Sequence, residues 1–115
     1  NAGRDPVANR EMAQMMASTY LGAAGDANDP RATPVLGRAQ GLPPLMIQAA
    51  GRDVFVDDSR AIADWARAGG VDVTLDVWDD MIHQWQQYAS VLPEARRALA
   101  ALGTFVRRRM DAADA

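Results

Sequence analysis

The chain holds one histidine, His83, in the stretch "WDDMIHQW", and no cysteine. Without thiols, thiolate nucleophiles, disulfides and cysteine-ligated zinc are excluded, and His83 is left as the side chain suited to proton exchange near neutrality. An imidazole acts as a general base when a carboxylate takes the hydrogen bond from one ring nitrogen and the other nitrogen faces the reacting group. Two sets of carboxylates could serve. Asp79 and Asp80 lie just upstream in the same stretch, and Asp53 lies far upstream in "AAGRDVFVDDS". The first set makes His83 a locally bonded loop residue, or one ligand of a metal site with Asp79 and Asp80. Two carboxylates and one imidazole are a poor ligand set, so no metal is expected. The second set makes an acid–base pair, and the residues alone leave the choice open.

Whether Asp53 can reach His83 depends on the elements that carry them. "PLMIQAAG" has a short apolar run bounded by Pro44 and Gly51, the pattern of a strand buried on both faces of a parallel sheet. "VDVTLDVWDD" alternates, with Val71, Val73, Leu75 and Val77 on one face and Asp72, Thr74, Asp76 and Trp78 on the other. That predicts a half-exposed strand near a sheet edge. Between them, Asp57, Asp58 and Ser59 supply capping and first-turn acidic groups for a helix. Ile62, Trp65, Ala66 and Gly69 mark its face, and Gly69-Gly70 ends it. A strand, a crossover helix and a second strand form a right-handed parallel unit. Working residues then sit at the carboxyl ends of the strands, Asp53 after the first and His83 after the second.

Elsewhere, Asn9 caps a helix carrying Met12, Met15, Met16, Thr19 and Tyr20, whose methionines read as adaptable core filling. "LGAAGDANDPRATPVLGRAQGLPP" reads as irregular chain. A last helix has Pro93 in its first turn and Ala95, Ala98, Leu99, Leu102, Phe105 and Val106 at helical spacing. The triplet Arg107 to Arg109 sits at its end and "DAADA" frays beyond. The expected division is 1–43, a helix and long loop, followed by 44–110, strand–helix–strand–helix. Two strands are too few for a stable parallel sheet, so this unit requires more chain or a partner.

The 49% apolar and 23% charged content is that of a soluble globular protein. A net charge of −3 argues against nucleic acid as a partner, and Trp78, Trp85 and Tyr88 read as packing residues before they read as a stacking platform. No apolar run is long enough for a transmembrane segment, and no signal peptide is legible. A cytoplasmic location is therefore expected, although a start at Asn1 suggests further chain upstream.

The segment "GLPPLMIQAAGRDVFVDDSRAIADWARAGGVDVTLDVWDDMIHQW" resembles the carboxyl-terminal part of α/β-hydrolases, specifically hormone-sensitive-lipase-like esterases. The features are the "GLPP" lead into a strand, a glycine before Asp53, the pattern of Asp53, Phe55 and Asp57, and the "AGG-V" turn. The histidine loop and the "LPEARRAL" helix complete it, and "YLGAAGDANDPRATP" adds the family's Asp-Pro segment with Thr33 in a serine position. The resemblance implies a fragment of an α/β-hydrolase fold, its last two parallel strands with flanking helices. It implies a Ser-His-Asp esterase or lipase in which Asp53 is the acid and His83 the base, with Asp57 capping the helix and bracing the acid turn. Val54, Phe55 and Ile82 would neighbour a small-molecule ester of short to medium acyl length, with no cofactor.

Members often carry glycine after the histidine, where this chain has Gln84. No G-x-S-x-G elbow or HGGG-type loop is present, and Ser18, Ser59 and Ser90 lack the strand–turn–helix setting of a nucleophile. The serine must then come from a missing amino-terminal part of the same hydrolase, and the isolated chain is expected to be inactive. A homodimer along the last strand is the assembly that its open edge would suit. The competing reading is a non-catalytic α/β module that binds a partner through that edge.

Overall fold

A computed structural model describes residues 5–113 of the protein. Asn1 and the last two residues of the "DAADA" tail lie outside the described residues. Helix α1 spans Arg10–Leu21, with the Asn9 side chain accepting from the Met12 N–H at 2.9 Å as its cap. A long connection follows, containing one short helical turn at Pro34–Leu36. Strand β1 is Leu45–Ala50, helix α2 Val56–Ala68, strand β2 Val73–Trp78, and helix α3 Pro93–Ala113, with a second short turn at Trp85–Tyr88. In the long connection, Asp29 is held below the usual carboxylate range by the Arg31 side chain first and the Arg31 N–H second. That surface contribution exists above the ordinary carboxylate range and disappears as acid protonates Asp29.

The two strands pair in parallel, from Leu45 opposite Val73 to Ala50 opposite Trp78, so both end at the same level. Alternation along β1 sends Leu45 toward a cluster of Ala39, Ala66 and Val71 on the α2 side. It sends Ala50 toward a cluster of Trp85, Ala95 and Ala98 on the α3 side. Alanine at the points of closest approach lets both helices come near the sheet: Ala63 and Ala66 of α2 and Ala95 and Ala98 of α3 are fully buried. Trp85 fills the space beneath α3. Its indole N–H has no acceptor among the described residues, costing about 1–3 kcal/mol against the apolar burial of the ring.

Several expectations are revised. The polar face of β2 looks into water only at its start, where Asp72 and Thr74 are exposed, while Asp76 and Trp78 are half-buried. Asp76 accepts from the Trp78 indole at 2.8 Å, and Gln48 of β1 donates to the Ala98 carbonyl of α3 at 2.8 Å. A side-chain network thus satisfies polar groups whose spacing resembled that of a solvated face. The front of β1 is only half-buried, its last two residues alone being buried. The buried face of α2 is Val56, Ala63 and Ala66, and Ile62 is exposed. On α1 the methionines do not fill a core: Met15 and Met16 are exposed and no α1 residue is buried. Leu99, Leu102 and Val106 of α3 are also exposed. That helix runs through Ala113, past the point where fraying was expected, so the arginine triplet lies inside it, with Arg109 paired to Asp72 and set over the Phe105 ring at 5.2 Å.

Beyond the strands, the two loops touch. The Gly51 N–H donates to the Trp78 carbonyl at 2.8 Å and the Arg52 N–H to the Met81 carbonyl at 3.2 Å. A Cβ on Gly51 would stand 2.4 Å from the Asp79 Cα, so only glycine permits this approach. Gln84 takes a left-handed conformation, φ 54° and ψ 35°, and is the sole non-glycine residue with positive φ among the described residues. Glycine would hold that turn without the strain of about 1 kcal/mol that an L side chain brings.

Three substitutions test these loops. Gly51→Ala forces the loops apart and should cost about 1–3 kcal/mol in urea unfolding, as steric overpacking does elsewhere. Gln84→Gly should stay within about 1 kcal/mol of the parent, because relieved strain offsets added freedom in the unfolded chain. Gln84→Val, β-branched in a left-handed turn, should melt at a clearly lower temperature than either.

Candidate active site

Asp53 sits in the turn between β1 and α2, where its N–H donates to the Ala50 carbonyl at 3.1 Å. Its Oδ1 accepts from the Phe55 N–H at 3.0 Å, which fixes the carboxylate at the mouth of α2. Asp53 is 7% exposed. Its Oδ2 lies 2.7 Å from Nδ1 of His83. An ionised carboxylate only accepts, so Nδ1 carries the proton in this pair and Nε2 becomes the basic nitrogen. Nε2 makes no hydrogen bond to any described residue.

The choice between carboxylates is therefore resolved geometrically in favour of Asp53. Asp79 and Asp80 are exposed, and Asp80 pairs with Arg52 at 3.3 Å. Asp57 does not cap the helix or brace the acid turn. It points to solvent inside the first turn and pairs with Arg60 at 2.8 Å, while Phe55 occupies the cap position without a side-chain bond. The bracing expected of Asp57 comes from the Phe55 backbone N–H.

A cleft of about 360 Å³ adjoins the pair, lined by Asp53, Phe55, Ser59, His83 and residues of the 84–86 segment. The Phe55 ring is tilted against the imidazole, centroids 5.6 Å apart, and limits its motion. Ser59 also lines the cleft, but its hydroxyl is bonded to the Phe55 carbonyl at 3.0 Å. Phe55 also borders a more apolar hollow of about 410 Å³ shared with Met16, Tyr20 and Leu21 of α1. Ile82 turns away and packs with the Trp85 cluster, and Val54 is half-buried in the acid turn. A larger hollow of about 520 Å³ lies against α3, but its lining of Met46, Thr74, Phe105 and the nearby arginines holds no carboxylate or imidazole.

One residue of this neighbourhood escaped the sequence reading. Asp5, 7% exposed, accepts from the His83 backbone N–H through Oδ2 at 2.5 Å. Its Oδ1 accepts from the N–H groups of Val7 and Ala8 at 2.7 and 3.2 Å. The only sequence signal was an Asp-Pro turn ahead of a helix cap, which gives no hint of a partner so distant along the chain.

The geometry can be set against known proteins. The family model described as alpha/beta hydrolase fold matches residues 1–87. An acetyl-hydrolase of Streptomyces hygroscopicus is 45% identical over 92 residues, covering 80% of this chain and 30% of that protein. An esterase of Acinetobacter venetianus is 29% identical over 105 residues, covering 91% of this chain and 35% of that one. A crystal structure of an esterase from the bacterial hormone-sensitive lipase family superposes with a TM-score of 0.87 at 44% identity, over 91% of this chain and 35% of the other. The chain thus spans about a third of the length of these relatives. The protein carries two parallel strands with a helix against each face and an acid turn beside a histidine loop, and it belongs to the α/β-hydrolase family, its likeness being to the hormone-sensitive-lipase-like esterases.

Proposed function

We propose that the chain is the acid-and-base portion of a serine carboxylic-ester hydrolase, and that the remaining chain of such an enzyme supplies the nucleophile and the oxyanion donors. The observation that carries this reading is the 2.7 Å contact between Asp53 and His83 Nδ1, with Nε2 making no hydrogen bond to a described residue beside a cleft. In the intact enzyme, His83 Nε2 takes the serine hydroxyl proton as the oxygen attacks the ester carbonyl. It passes that proton to the departing alcohol, leaving an acyl-enzyme. Water then gives its proton to the same nitrogen and attacks the acyl carbon, and the serine recovers the proton as the acid leaves. Asp53 holds the tautomer and stabilises the imidazolium formed in each half. No metal or organic cofactor enters this cycle.

The substrate is a carboxylic ester with a short to medium acyl chain. The name of the Streptomyces relative, an acetyl-hydrolase, favours the short end. Phe55 stands between the acid–base cleft and the apolar hollow along α1, so it is the side chain best placed to touch the acyl or alcohol group. Among the described residues no helix is long and apolar enough to cross a membrane. An edge-to-edge pairing of β2 with a second copy is the dimer this topology would allow.

In the complete enzyme, His83→Ala should lower kcat/KM for p-nitrophenyl acetate by about 10⁴–10⁶-fold, the range found when a triad base is removed. Asp53→Asn should cost about 10⁴-fold, because the carboxamide stabilises the wrong tautomer. Turnover unchanged by either substitution rules out the assignment. Activity against acetyl and butyryl esters but not against amides of the same acids would be the expected selectivity.

A further inference from the structure

We propose that Asp5 is a positioning residue for the base: it anchors the His83 backbone and so fixes where the imidazole stands. The inference rests on the reading of His83 as the base. A buried carboxylate is costly unless hydrogen-bonded, and here three N–H groups satisfy it. Two of those donors are local and would form in any tight turn. The third comes from His83 itself, a residue 78 positions away. A carboxylate needed only for the turn would have no reason to spend its second oxygen on the histidine loop.

The loop needs such an anchor. His83 is followed by the strained Gln84, and its ring is tied to Asp53 only through Nδ1. Fixing the backbone N–H and Nδ1 together leaves the ring little freedom, so Nε2 stays in register with a reacting atom. The same turn leads through buried Ala8 into the Asn9 cap of α1, whose side chains border the apolar hollow beside Phe55. Asp5 therefore joins the segment beside the hollow to the segment carrying the base.

Asp5→Asn separates this role from turn formation. A carboxamide has one accepting oxygen and one donating nitrogen. If the oxygen serves Val7 and Ala8, the amide nitrogen faces the His83 N–H donor to donor. If it flips to serve His83, the turn loses its acceptor. The variant should lower kcat in the complete enzyme by about 10–100-fold with KM within about twofold, the scale of a displaced catalytic group. The downfield proton resonance of His83 Nδ1–H should weaken or vanish, while Val7→Ala, altering the same turn without touching the carboxylate, leaves it in place. Unchanged kcat with an unchanged resonance, or a rise in KM alone, overturns the proposal.

A measurement on the unaltered enzyme guards against a variant that fails to fold. The His83 amide should exchange slowly with deuterium, and exchange at the rate of an unprotected loop amide also overturns the proposal. Failure of the esterase reading is distinguishable, since full activity in His83→Ala removes that reading while the amide and ring-proton measurements still decide what Asp5 does.

Discussion

The parallel register between β1 and β2 is the constraint from which the site follows. Because Ala50 lies opposite Trp78, the two chains leave the sheet at one level and their loops run side by side. Residues distant in sequence thereby meet: Gly51 packs on Asp79, Arg52 bonds to Met81, and Asp53 reaches His83. Slipping the register by one residue would reverse which side chains face α2 and α3, so the packing of the small alanines on both sides also enforces the alignment of the loops.

Asp53 is held by ordinary backbone chemistry. Asp53 occupies the turn before α2 and takes the Phe55 N–H through one oxygen, which leaves the other directed at the imidazole. A side chain used in this way is both part of the helix entrance and part of the acid–base pair. The first-turn acids Asp57 and Asp58 remain in solvent, where they favour the positive end of the helix dipole.

A polar network adds to the apolar packing that holds α3 on the sheet. Gln48 links β1 to the Ala98 carbonyl and accepts from Gln86 at 3.2 Å, while Asp76 receives the Trp78 indole and Arg97 lies 5.7 Å from that ring. Since Gln86 follows Trp85 in the segment after His83, this network also steadies the far side of the histidine loop. His83 is thus bounded by Asp53 at its ring, Asp5 at its backbone and the Gln48–Gln86 contact beyond.

What depends on neighbours along the chain was legible in the residues. Those residues placed the Asn9 cap, both strands, the Gly69-Gly70 stop and the Pro93 start, since each rests on local turn chemistry, on a short apolar run or on alternation. They also limited the acid–base chemistry to one imidazole and a few carboxylates. Strand pairing selects which carboxylate faces that imidazole, because Asp53 and the local Asp79 and Asp80 are chemically equivalent until the strands pair. Folding likewise decided that only the carboxyl-end half of the polar face of β2 is withdrawn from water and that Asp5 reaches His83. Alternation reports which side chains share a face, but what covers that face, and which distant N–H a buried carboxylate meets, are consequences of long-range packing.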